Sequence, residues 1–214
     1  MGSEIKTPYF LVALPKMDDP QFSKTVVLMA NHKADGAFGV ILNKALINEE
    51  EGASAQMKAE IKDAEGNVVD EFNEDLFEGG PVHSESVFML HDFSAIADQN
   101  SKIGEENIFL SSDPQMFGQV LSAVKDGSAH SRFFIGTSSW LPGQLDNEMR
   151  SGAWISLPFH SKFIFEQIPH EEGTPLEIFD RKKWQQDLWM RVLRAGGLDP
   201  LALSSQGPSD AGWN

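Results

Sequence analysis

Five short runs of strand-forming residues arrive before the first segment with a helical period. They cover residues 9–14, 24–30, 38–42, 86–91 and 107–111, and each is rich in aromatic and β-branched side chains. A doubly wound parallel sheet needs a helix at each crossover, so strands in succession point to an α+β fold. The best helix start in the chain comes late. Asp113 is placed to cap it, Pro114 fits its first position, and Met116, Phe117, Val120, Leu121 and Val124 form a stripe that stops at Gly127. Further strands are expected at 132–136, 154–157 and 163–165, with a short helix at 144–150. A last helix is expected from about 180 to 194, with its stripe on Trp184, Leu188, Trp189, Val192 and Leu193.

The chain has 214 residues, the length of one domain spanning 1–214, with an ordered core expected over about 9–197. Fifteen Phe and five Trp supply an aromatic-rich interior. The formal net charge is -15, which repels phosphate backbones, so direct nucleic-acid binding is not expected. No cysteine is present, which removes disulfides and thiolate chemistry and fits a reducing compartment. Residues 1–8 hold no long apolar run and no stretch is long enough to span a membrane, so a cytoplasmic location is expected.

Residues 48–75 differ from the rest. They carry ten acidic residues against only Lys58 and Lys62. The segment reads as an exposed, partly mobile acidic excursion with room for one short helix over 53–61. Residues 204–214 are polar and Gly-rich and are expected to be a flexible tail.

Most catalytic signatures are absent. The six histidines form no His-Glu-x-x-His, and they read as satisfied or solvent-facing rings, so no metal is expected. Gly136-Thr137-Ser138-Ser139-Trp140 carries Trp where a nucleophile elbow needs its second Gly. Glu78-Gly79-Gly80-Pro81 lacks both phosphate-loop spacings and reads as a tight turn. Asp146 and Glu148 lie two apart, so on a helix they do not face each other and read as charge near the first turn. Trp140 is a core or lid residue before it is a stacking platform. No cofactor is expected.

Three blocks carry a resemblance to a known family. They are Phe10-Leu11-Val12-Ala13-Leu14-Pro15, then Asp19-Pro20-Gln21-Phe22, continuing to Gly36-Ala37-Phe38-Gly39-Val40-Ile41-Leu42-Asn43-Lys44; then Gly79-Gly80-Pro81-Val82; then Trp140-Leu141-Pro142-Gly143-Gln144-Leu145-Asp146-Asn147-Glu148-Met149. In order and spacing the chain resembles the YqgE/AlgH family from Tyr9 to about Gly197. The resemblance implies a bacterial cytosolic α+β protein in which a mixed, strongly bent, bifurcated sheet forms a pseudo-barrel with flanking helices. It brings no assigned activity; part of the family name comes from a proposed role in regulating alginate synthesis. Ala45 stands where the family often has Pro, and Thr137-Ser138-Ser139 replaces its usual residues before Trp140.

The functional expectation is a non-enzymatic cytoplasmic regulatory or interaction domain with an unidentified protein or small-molecule partner. The alternative is a small-molecule-binding enzyme, such as a hydrolase, with its site near 79–81 and 140–148. In either case the candidate ligand or interaction surface is Asn43, Lys44, Gly79, Gly80, Pro81, Trp140, Gln144 and Glu148. All lie at the ends of expected strands or in turns, where a rigid sheet holds recognition loops.

Overall fold

A computed structural model describes residues 5–48, 53–62, 65, 68–96, 100–166 and 178–205. Its strands are β1 (Tyr9–Ala13), β2 (Val26–Lys33), β3 (Gly36–Ile41), β4 (Ile47–Asn48), β5 (Ala53–Ser54), β6 (Gln56–Lys62), β7 (Val68–Glu78), β8 (Val82–His91), β9 (Phe109–Ser111), β10 (Ser131–Trp140) and β11 (Trp154–Pro158). The helices are α1 (Pro114–Lys125), α2 (Gln144–Arg150), α3 (Ile178–Ala195) and α4 (Pro200–Ser205). The fold is α+β, built on one large mixed sheet.

The continuous apolar run of β1 is buried along its whole length because both faces of the sheet are covered. Its side chains alternate between two cores. Phe10 and Val12, with Val26 and Leu28 of β2, face α3 and its Trp184, Leu188 and Trp189. Tyr9, Leu11 and Ala13, with Val27 and Met29, face the opposite core with Trp140, Leu145 of α2 and Trp154. A third core places Val120 and Leu121 of α1 against Met89 and Phe133. Asp113 caps α1 by accepting from the Gln115 N–H at 2.9 Å.

The main path of the sheet runs β11-β1-β2-β3-β10-β7-β6, and β8 also pairs with β10. The sheet branches on β10. Residues Phe133, Phe134 and Ile135 pair in parallel with β7 and antiparallel with β8. Ser138, Ser139 and Trp140 pair antiparallel with β3. The path ends at β11 and β6, so the described sheet is not closed, and the expected pseudo-barrel is not established by it.

Two local expectations are corrected. Residues 53–61 form no helix among those described; β6 pairs with β7 from Gln56↔Asp75 to Lys62↔Val68, and this ladder outweighs a weak helical period. The strand expected at 163–165 begins instead as the end of a 3-10 turn, Ser161–Phe163. Adjacent Phe163 and Ile164 both enter the core facing α3, which an alternating strand with one buried face does not allow. The tail at 206–214 and part of the acidic segment (49–52, 63–64, 66–67) lie outside the described residues. None of the described helices is long and apolar enough to cross a membrane.

Candidate functional site

The second sequence block sits where the sheet branches. The Gly79 N–H donates to the Ile135 carbonyl at 2.8 Å, while the Gly79 carbonyl accepts from the Ile41 N–H at 3.0 Å. The same carbonyl accepts from the Ser138 hydroxyl at 3.0 Å. One glycine thus joins the end of β7 to both β3 and β10. Gly80, at φ +144°, passes so close to β10 that a Cβ would lie 2.5 Å from the Ser138 nitrogen. Gly136 at φ +70° meets it from the other side, with space for a Cβ only 2.4 Å from the Gly80 carbonyl oxygen.

The first block lies beside it but divides in two. Asn43 is fully buried. Its Oδ1 accepts from the Val26 N–H at 2.8 Å, and its Nδ2 donates to the Lys24 carbonyl at 2.9 Å and the Gln185 carbonyl of α3 at 2.8 Å. This side chain ties α3 to the sheet and presents nothing to a ligand. Lys44 points outward. Its Nζ pairs with Glu78 Oε2 at 2.9 Å and donates to Gln21 Oε1 at 3.1 Å. Gln21 also donates to Glu78, and its neighbour Phe22 packs against Trp140 and Trp154 at 6.3 and 5.4 Å between ring centroids.

The third block centres on Glu148. Its Oε2 accepts from the indole N–H groups of both Trp140 and Trp154, each at 2.9 Å. Its Oε1 accepts from Gln144 Nε2 at 2.9 Å, and Gln144 Oε1 accepts from the Leu141 N–H at 3.1 Å. Trp140 and Trp154 are core residues meeting edge to face. The carboxylate therefore satisfies two buried donors and does not wait for a ligand. The Leu141 side chain takes no part in this network, and the residue is 75% exposed.

Sequence reasoning missed a buried polar chain. The Tyr9 hydroxyl lies 2.7 Å from His32 Nδ1, and His32 Nε2 lies 3.5 Å from Asp146 Oδ1. Donation from Nε2 toward the carboxylate leaves Nδ1 to accept from the phenol. Burial, and then the nearby Asp146 charge, raise the phenol well above its ordinary range, so Tyr9 stays a neutral donor. The three residues come from β1, β2 and α2, and no motif spacing could reveal them. Asp146 and Glu148 do diverge, as two positions apart on a helix requires, but each holds interior partners and neither is simple surface charge.

His91 is fully buried and stacked on Phe109 at 5.3 Å between ring centroids. Burial lowers its pKa from the ordinary 6.5 and outweighs the neighbouring Asp92 charge, which raises it. The unfolded chain therefore takes up this proton first as pH falls. The stability due to neutral His91 is full above 6.5 and is lost as pH drops below that value. The urea midpoint is expected to fall between neutral pH and about pH 5, with a shallower fall in His91→Leu. Equal slopes for the two proteins would contradict this.

Among the described residues no three His, Asp or Glu side chains converge to hold a metal ion. The profile of the AlgH-like family matches residues 10–200. The chain belongs to the AlgH-like family. Among its AlgH-like relatives, a UPF0301 protein of Methylococcus capsulatus is 32% identical over 170 residues, covering 78% of this chain and 85% of its own. A UPF0301 protein of Bordetella avium is 31% identical over 199 residues, covering 92% and 87%. The solution structure of AlgH from Pseudomonas aeruginosa superposes with a TM-score of 0.56 at 22% identity, covering 98% of this chain and all of that one. A Corynebacterium diphtheriae crystal structure gives 0.59 at 19% identity, covering 96% and 94%. These two likenesses concern the fold alone.

Proposed function

We propose that this AlgH-like chain is a non-enzymatic regulatory or interaction domain of the cytoplasm. Its recognition surface is the part of the candidate region that faces solvent: Lys44 and Pro81 at the branch of the sheet, and Gln144 beside the exposed Leu141. Asn43, Gly79, Gly80, Trp140 and Glu148 form the frame behind it. The observation that carries this reading is the contrast inside the third block. Both Glu148 oxygens are occupied by Trp140, Trp154 and Gln144, whereas Leu141 is exposed. Phe38, opposite Ser139 on β3, adds a second exposed apolar side chain nearby. A surface with an exposed leucine and engaged acids favours docking of a protein over chemistry on a substrate. The strongly acidic chain also favours a protein over a nucleic acid.

The test is photo-crosslinking in the native host from a benzophenone side chain at position 141, with position 201 as control, since Leu201 of α4 is also exposed. A discrete adduct at 141 that is absent at 201, and is lost when Phe38→Asp is added, is the expected result. Identical adduct patterns from both positions would refute the surface.

A further inference from the structure

The described sheet ends on β6, and no described strand pairs with its outer side. Its inner side is bonded to β7 from Gln56↔Asp75 to Lys62↔Val68. An open edge of seven residues offers N–H and C=O groups that a further strand can take up. The other end of the path, β11, is shorter at five residues and finishes on Pro158, which has no N–H to give. β6 contains neither proline nor glycine. This edge shares no residue with the proposed recognition surface, so the inference does not depend on that reading.

An edge strand is commonly protected by lysine, because a second copy brings a lysine to the same place and the two repel. The order of charges along β6 cancels that protection. The strand reads Gln56-Met57-Lys58-Ala59-Glu60-Ile61-Lys62, with Ala59 at its centre. Two copies paired antiparallel about a twofold axis at Ala59 overlap along all seven residues. Lys58 of each copy then stands opposite Glu60 of the other, and Met57 opposite Ile61. A slip of one residue would set opposite faces against each other. A slip of two residues shortens the ladder and sets Lys58 opposite Lys58, or Glu60 opposite Glu60 and Lys58 opposite Lys62. The longest register thus also matches the charges, and its nearest in-phase alternatives do not.

β7 does not provide these matches directly across the ladder. Asn73 stands opposite Lys58, and Glu71, a like charge, stands opposite Glu60. A lysine on the outer side of Glu60 offsets that like-charge neighbour. The apolar side gains as well. Met57 is half-buried at the rim of the third core, with Phe72 of β7 and Val124 of α1, and a strand laid alongside β6 extends that rim.

We propose that β6 is a dimerisation edge, through which two copies of this chain join their sheets by antiparallel pairing about Ala59. The occupant is a second copy because the pattern of charge is complementary to itself. The contact is one strand wide, at the small end of specific interfaces, so the dimer is a weak one that forms in the micromolar range.

The test is sedimentation velocity of the full chain over roughly a hundredfold range of concentration in ~150 mM salt, where the -15 charge of each copy is largely screened. Wild type is expected to pass from monomer to dimer. Lys58→Glu, at an exposed position, and Glu60→Lys each set two like-charge pairs across the twofold axis. Each is expected to weaken dimerisation by roughly tenfold or more. An equimolar mixture of these two variants is expected to dimerise again, since every opposed pair between unlike copies is then of opposite sign. The double variant K58E/E60K is expected to dimerise as wild type does. A wild type that stays monomeric, whether the edge is empty or taken by a foreign strand, would overturn the proposal. So would single variants that dimerise like wild type, or a mixture that stays monomeric while wild type dimerises.

Discussion

Gly80→Ala is expected to destabilise the protein by on the order of 4 kcal/mol, enough to leave much of it unfolded or insoluble. The added Cβ would lie 2.4–2.5 Å from Ser138 Oγ, Ser138 N and the Thr137 carbonyl carbon, two of which are backbone atoms that cannot rotate away. The φ of +144° adds strain for any residue with a Cβ. Relief would require β10 to move off the 80–82 segment and break the bond from Ser138 to Gly79. Gly118→Ala is the matched control. It lies in α1 with nothing within 4 Å of its Cβ position, so it is expected to be neutral or stabilising by roughly 0.5–1 kcal/mol. Soluble yield and urea midpoints measure both. A Gly80→Ala protein as stable as Gly118→Ala would mean that the close approach at the branch is not as described.

Glu148→Ala is the second large effect, expected to cost about 3 kcal/mol, because two interior indole donors lose a charged acceptor together. Glu148→Gln keeps an acceptor oxygen of the same reach and is expected to cost about 1 kcal/mol, the difference between a charged and a neutral hydrogen bond. Gln144→Ala, at an exposed position, is expected to cost less than 1 kcal/mol. Tryptophan fluorescence during urea unfolding measures the stability of each variant. If Glu148→Ala were as stable as wild type, the carboxylate would be available to a ligand, and the frame reading of the third block would fail.

The residues that carry local information were legible in the sequence. The apolar runs of β1 and β2 are sheet buried on both faces, and α2 occupies Gln144–Arg150 because Pro142-Gly143 and Gly152 punctuate it. What could not be read was pairing. Nothing local to Ile135 says that it pairs with Glu78 in parallel, or that three residues later β10 takes β3 as its neighbour. The short helix allowed at 53–61 was misjudged because the strand that pairs with this stretch, β7, follows it within the same acidic segment. The same limit applied to the sites. Asp146 and Glu148 were recognised as acids that diverge, but His32 acquires its role only through contacts with distant segments, and Trp154 only because β11 folds back beside α2.

The placement of β10 and β11 has a consequence for synthesis of the chain. Tyr9 must find Pro158, and Gly39 must find Ser138, before either outer edge of the β1–β2–β3 unit is covered. At ordinary elongation rates the ribosome needs roughly 10 s to make the intervening chain. During that interval a nascent three-stranded ribbon, apolar on both faces, carries two open edges. Nascent chains stalled before residue 131 lack β10 and β11 altogether and should bind chaperones, whereas release past residue 158 lets the outer strands close the ribbon from both sides.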